Sequence, residues 1–191
     1  MFVHTTMHRA VAWCGAAGLA LAAFSAQGQP LLTDHASTWY VQGALMESNG
    51  HAASLGVTLP WQQWTYRLGP GQVTGHWDLF ASRWSSQQDI GRLQTTVIGV
   101  VPALRWRGDQ GRAAWFIQAG SGLTMGNNYY STLHKTFSTR YNFATHLAAG
   151  MNFGARRQHE WMLRMEHVSN AGIKKPNPGE NFLQLRYAHR F

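Results

Sequence analysis

The sequence predicts an all-β protein, an eight-stranded antiparallel transmembrane up-and-down β-barrel, and three observations carry the prediction. From Thr38 onward, segments of roughly ten residues alternate apolar with small or polar side chains, the period-2 pattern of strands with two unlike faces. The connections between segments are alternately short and long, and tryptophans gather toward the short-loop end, as an interfacial aromatic girdle places them. Beyond the N-terminal leader no run of roughly twenty apolar residues exists, although 45% of the chain is hydrophobic, so a helical membrane protein is excluded and the strand pattern must decide among the remaining classes.

The leader is expected over residues 1–28 and the barrel over residues 29–191. Residues 10–24 form an apolar run too short to span a bilayer, and small residues follow at Ser25, Ala26 and Gly28, which reads as a cleaved secretory signal. Cleavage after Gly28 puts Ala26 at the −3 position; cleavage after Ser25, with Ala23 at −3, is the rival. A lipoprotein leader ending at Cys14 is disfavoured by the bulky Trp13 and by the apolar run that continues past it. Cys14 is the only cysteine, so the mature chain offers no disulfide, zinc–thiolate or cysteine nucleophile.

Taken in order, the first segment sets Trp39, Val41, Gly43 and Leu45 against Tyr40, Gln42 and Ala44, and Ser48-Asn49-Gly50 turns the chain. The second sets Ala53, Leu55, Val57, Leu59 and Trp61 against Ser54, Gly56 and Thr58, with residues 60–71 expected as a longer connection. In the third, Val73, Trp77, Leu79 and Ala81 oppose Thr74, His76, Asp78 and Ser82, before a polar loop expected over 85–92. The fourth is the least regular, although Ile98, Val100, Leu104 and Trp106 share a parity. A tight turn at 107–111 leads to the fifth, where Trp115, Ile117, Ala119 and Leu123 oppose Gln118, Gly120 and Gly122. The sixth sets Tyr141, Phe143, Leu147, Ala149, Met151 and Phe153 against Asn142, His146 and Asn152. After a basic turn at 155–158, the seventh sets Trp161, Leu163 and Met165 against Met162, Arg164 and Glu166. The eighth sets Leu183, Leu185, Tyr187 and Phe191 against Gln184, Arg186, Ala188 and Arg190.

A soluble sandwich would alternate too. The tryptophans at the short-loop end (Trp39, Trp61, Trp64, Trp106, Trp115 and Trp161) and the terminal Phe191, which resembles the C-terminal pattern of outer-membrane proteins except at His189, favour the barrel. Its apolar face then meets lipid, and Asp78, Gln118, Asn142, Arg164, Glu166 and Arg186, with His76 and His146, fill the lumen as a mutually satisfied network. The formal charge of +8 alone does not choose a partner. Nucleic-acid binding is disfavoured because the basic residues are scattered over turns and lumen. His51 and His134 lack neighbouring acids at ligand spacing, so no metal or other cofactor is expected.

The stretch that carries chemistry closes the seventh segment: His167-Val168-Ser169-Asn170-Ala171-Gly172-Ile173-Lys174-Lys175-Pro176-Asn177-Pro178-Gly179-Glu180. Parity places His167 and Ser169 on the lipid face, where a histidine is costly and invites a functional role. At i and i+2 their Cβ atoms are roughly two rises of 3.3 Å apart, within reach of a base and a hydroxyl nucleophile. Asn170 and Asn177 offer amide donors and Gly172 a closely approachable N–H for an oxyanion. Lys174 and Lys175 bring positive charge to the membrane surface, either as a solvated rim or as contacts for anionic phosphates.

These residues closely resemble the active-site segment of the PagL-type lipid A 3-O-deacylases, and the match runs on to the C-terminus. The resemblance implies a bacterial outer-membrane barrel acting as a serine esterase on lipopolysaccharide, removing the ester-linked 3-hydroxyacyl chain from the 3 position of lipid A, with its site toward the outer leaflet. It implies Ser169 as nucleophile, His167 as general base, Gly172 and Asn177 as oxyanion donors and Asn170 in support. The family's orienting glutamate falls, without gaps, on Asn181. Glu180 is its neighbour, and a bulge beside Gly179 would re-aim Glu180 toward His167; Asn181 or a backbone carbonyl is the rival orienter. A phospholipase barrel using similar residues, and a non-catalytic adhesion or binding barrel, stay open beside the deacylase, as does a homodimer.

Overall fold

The computed structural model describes residues 34–191 and closes them into one barrel, each strand antiparallel to its chain neighbours and the last paired with the first. The strands are β1 (Thr38–Met46), β2 (His51–Leu68), β3 (Gly71–Gln87), β4 (Arg92–Arg107), β5 (Trp115–Gly126), β6 (Tyr141–Phe153), β7 (His159–Ser169) and β8 (Glu180–Arg190). The expected leader and its Cys14 lie outside the described residues. Closure matters because hydrocarbon offers no partner to a bare strand edge. Here β1 and β8 seal the sheet from Thr38↔Arg190 to Met46↔Phe182, which brings the outer end of β1 beside the start of β8.

The two faces follow the alternation in the sequence. Along β7, Trp161, Leu163, Met165 and His167 are exposed on the outer wall, while Met162, Arg164, Glu166 and Val168 are buried in the lumen. Around the short-loop end, Trp61 meets Trp64 and Trp77, Trp106 meets Trp115, and Tyr187 meets Trp39 and Trp161, which forms the aromatic belt.

Two connections are shorter than the pattern predicts. Residues 60–71 are not a loop: β2 runs on to Leu68 and turns on Gly69 and Pro70 alone. Its pairing with β3 slips between Pro60 and Thr65, and this irregularity accommodates a proline that has no N–H for the ladder while breaking the alternation in the sequence. Likewise β3 continues to Gln87, so the polar loop expected over 85–92 shrinks to 88–91.

The lumen is layered. Tyr40 donates to Asp78 Oδ1 at 2.5 Å, and Arg164 and Arg186 donate to Asp78 Oδ2 at 2.8 and 2.9 Å. Tyr40 fits because it crosses Gly56, where a Cβ would stand 2.3 Å from the phenol ring. Toward the short-loop end, Arg105 pairs with Glu160 at 2.7 Å, a pair the expected network did not include. Toward the long-loop end the filling turns apolar: Trp84, Phe182, Val97 and Val168 pack with Tyr130 and Phe137 from the β5–β6 connection. That connection therefore folds inward over the barrel mouth, and it carries Lys135 with it.

Candidate active site

At Ser169 the chain leaves β7, and residues 170–179 return it to β8 at Glu180. His167 is exposed on the outer wall and Ser169 half-buried two residues beyond it on the same face. His167 pairs in register with Thr145 on one side and Asn181 on the other, while Ser169 pairs with Phe143. Among the described residues no hydrogen bond joins the imidazole to Ser169; at i and i+2, side-chain rotation spans the gap.

The imidazole is oriented by an amide. His167 Nδ1 lies 2.8 Å from Asn181 Oδ1, and Asn181 Nδ2 donates to Glu47 Oε2 at 2.7 Å. A carboxylate only accepts, so the amide must turn its NH2 to Glu47 and its oxygen to the ring. Nδ1 then carries the proton, and Nε2 keeps the lone pair that a general base needs. Hydrogen bonds from Lys135 and then Asn181 hold the Glu47 carboxyl below the usual carboxylate range, so it is ionised at neutral pH.

Glu180 does not reach His167, which corrects the expectation placed on it. Pairing runs without a bulge through His167↔Asn181 and Val168↔Glu180, so the parity that turns Asn181 outward turns Glu180 into the lumen. There its fully buried carboxylate accepts the Ser48 N–H at 2.9 Å and the Ser48 hydroxyl, with Lys135 Nζ 3.6 Å away.

The returning loop is tied by Asn170, which is buried. Its N–H donates to Asn177 Oδ1 at 3.0 Å, its Nδ2 donates to the Lys174 carbonyl at 2.8 Å and Ser138 Oγ at 3.1 Å, and its Oδ1 accepts Gly172 N–H at 3.0 Å. With Asn177 Oδ1 so engaged, its Nδ2 faces no acceptor among the described residues. Lys174 and Lys175 are exposed on the same loop.

Sequence reasoning missed Glu47, Lys135 and Ser138. Glu47 had a legible signal, because it continues the outward parity of Val41, Gly43 and Leu45, and barrel closure brings that parity beside β8. Lys135 and Ser138 had none, since their places depend on how the β5–β6 connection folds back.

Below the site an apolar groove of about 1000 Å³ crosses the outer wall, lined among others by Leu163, Leu183, Leu185, Leu45 and Leu55. Gly43 also lines it, and a Cβ there would meet nothing within 4 Å.

Fold and site together define a small membrane β-barrel with a histidine and a serine on its lipid-facing wall. The sequence profile of the family described as Lipid A 3-O-deacylase (PagL) matches residues 50–190, and the chain belongs to that family. It is 30% identical over 186 residues to the lipid A deacylase PagL of Bordetella bronchiseptica, covering 93% of this chain and 94% of that one. It is 25% identical over 139 residues to the lipid A deacylase PagL of Pseudomonas aeruginosa, covering 73% of this chain and 78% of that one. The fold is similar to a crystal structure of the outer-membrane enzyme PagL, with a TM-score of 0.69 at 21% identity over 81% of this chain and 99% of the other.

Proposed function

We propose that this protein is an outer-membrane serine esterase that removes the 3-hydroxyacyl chain esterified at the 3 position of lipid A, working on the outer leaflet. The observation that carries the proposal is the oriented His167 imidazole, bonded through Nδ1 to Asn181, two residues along β7 from Ser169 on a wall that meets lipid.

His167 Nε2 takes the Ser169 proton as Oγ attacks the ester carbonyl. The oxyanion of the tetrahedral intermediate draws on the Asn177 side-chain amide, and on the Gly172 N–H once it exchanges Asn170 Oδ1 for the new, charged acceptor. Collapse breaks the ester C–O bond, and the imidazolium returns its proton to the sugar hydroxyl that leaves. Water, activated by the same histidine, then attacks the acyl-serine, releases the 3-hydroxy fatty acid and restores Ser169.

A site on the outer wall needs no extraction of substrate from the bilayer. Lateral diffusion brings the acyl chain to the groove beside Leu163 and Leu183, which ends two residues along β8 from Asn181. Lys174 and Lys175, exposed where the headgroup region begins, supply charge for the lipid A phosphates. The test is the mass of lipid A from cells that express the protein or its Ser169→Ala variant: only the active serine should remove one 3-hydroxyacyl group.

A further inference from the structure

We infer that Glu47, at the outer end of the first strand, is the acid of this site, acting as a positioning residue on His167 through the side-chain amide of Asn181. The inference rests on the assignment of His167 and Ser169 as base and nucleophile.

The geometry forms one chain of contacts. Glu47 Oε2 accepts Asn181 Nδ2–H at 2.7 Å, and Asn181 Oδ1 stands 2.8 Å from His167 Nδ1. The backbone repeats the tie, because Glu47 N–H donates to the Asn181 carbonyl at 2.9 Å and so extends the β1–β8 ladder one step past Met46↔Phe182. The pair that closes the barrel therefore sets the distance between Glu47 and Asn181. Lys135 Nζ holds the same Glu47 oxygen at 3.0 Å, which fixes the carboxylate from the other side.

An asparagine beside a catalytic imidazole is a hazard as well as a help. Its amide can present either end, and NH2 facing Nδ1 would force the proton onto Nε2, where a base must be bare; loss of the correct tautomer costs a serine hydrolase about 10⁴ in kcat. A carboxylate on the far side of the amide removes the choice, since only NH2 can face it. It also places a negative charge one amide away from the imidazolium that forms during attack. Glu180 serves the same end from a distance: it anchors Ser48, the residue after Glu47, and shares Lys135 with it.

The test is steady-state kinetics on detergent-dispersed lipid A with purified, refolded protein, each variant checked by heat-modifiable gel mobility. Glu47→Gln should lower kcat about tenfold to a hundredfold with KM nearly unchanged. Asn181→Glu places a carboxylate against Nδ1 directly, and in that background the loss caused by Glu47→Gln should shrink to within about twofold. A purely structural Glu47 would cost the same in both backgrounds, and that result would overturn the inference. So would full kcat in Glu47→Gln while Ser169→Ala is inactive. If Ser169→Ala itself keeps its activity, the nucleophile assignment fails first, and the role of Glu47 falls with it.

Discussion

Gly179 lies against the imidazole of His167: a Cβ built on it would stand 2.5 Å from Cε1 and 3.0 Å from Nε2. The loop that returns to β8 thus forms the back wall of the base, and only a glycine leaves the ring its place. With φ at +68°, the position also favours glycine on backbone grounds. Gly179→Ala should displace the ring on the Nε2 side and lower kcat about a hundredfold, the scale of a 1 Å misplacement. Heat-modifiable mobility should be retained, since the barrel hydrogen bonds are untouched. Unchanged kcat in a folded variant would show that the ring is not held there.

Glu180 separates two accounts of the acid. Were it the orienting acid, Glu180→Gln would cost about 10⁴ in kcat. Because its carboxylate instead binds Ser48 inside the lumen, and glutamine can still accept one of those bonds, the expected loss is less than about tenfold. Parallel kinetics of Glu180→Gln and Asn181→Ala decide the matter, with Asn181→Ala expected to be the more damaging.

Which parts of this were legible in the sequence follows from which forces act locally. Alternation set by two unlike solvents is local, so the outward faces of β5 to β8 and the direction of His167 and Ser169 were readable from residues alone. The run of β2 past Pro60 was not, because the slip in pairing against β3 hides the period. Glu180 illustrates the opposite error. Parity already argued against it, but no alternative acid was visible because Glu47 lies more than a hundred residues away in sequence and meets Asn181 only when the barrel closes. The Asn170 knot lay between these cases: its residue types were evident, while its partner Ser138 comes from another loop.

The groove offers a test of substrate binding apart from chemistry. Gly43 opens on empty space in the outer wall, where an added Cβ meets nothing within 4 Å, so Gly43→Phe should project into the groove and fill part of it. With acyl-chain burial worth about 0.8 kcal/mol per CH2, covering two or three methylenes should raise KM for lipid A about tenfold or more. The turnover of a short-chain water-soluble ester should not change. Equal losses on both substrates would place the acyl chain elsewhere.

At the short-loop end, Asp34 closes the barrel mouth, bonded to Arg107 Nη2 at 2.8 Å and 3.6 Å from Arg105. Burial works against its charge, yet the two guanidinium groups overcome that penalty and hold its pKa at about 2, below the usual carboxylate range. A depressed carboxylate stabilises the folded state fully above the unfolded value and loses that contribution as pH falls through the folded one. Asp34→Asn should therefore lower the urea midpoint at pH 7, and the difference from the parent should close between about pH 4 and pH 2. A gap that stays constant across that window would mean that Asp34 acts by shape and not by charge.

The central claim is that a serine on the lipid-facing wall deacylates lipid A, and mass spectrometry of lipid A from expressing cells tests it most directly. The account predicts loss of a single 3-hydroxyacyl group with the parent protein and intact lipid A with Ser169→Ala at equal outer-membrane abundance. Loss of that group in cells carrying Ser169→Ala would contradict it.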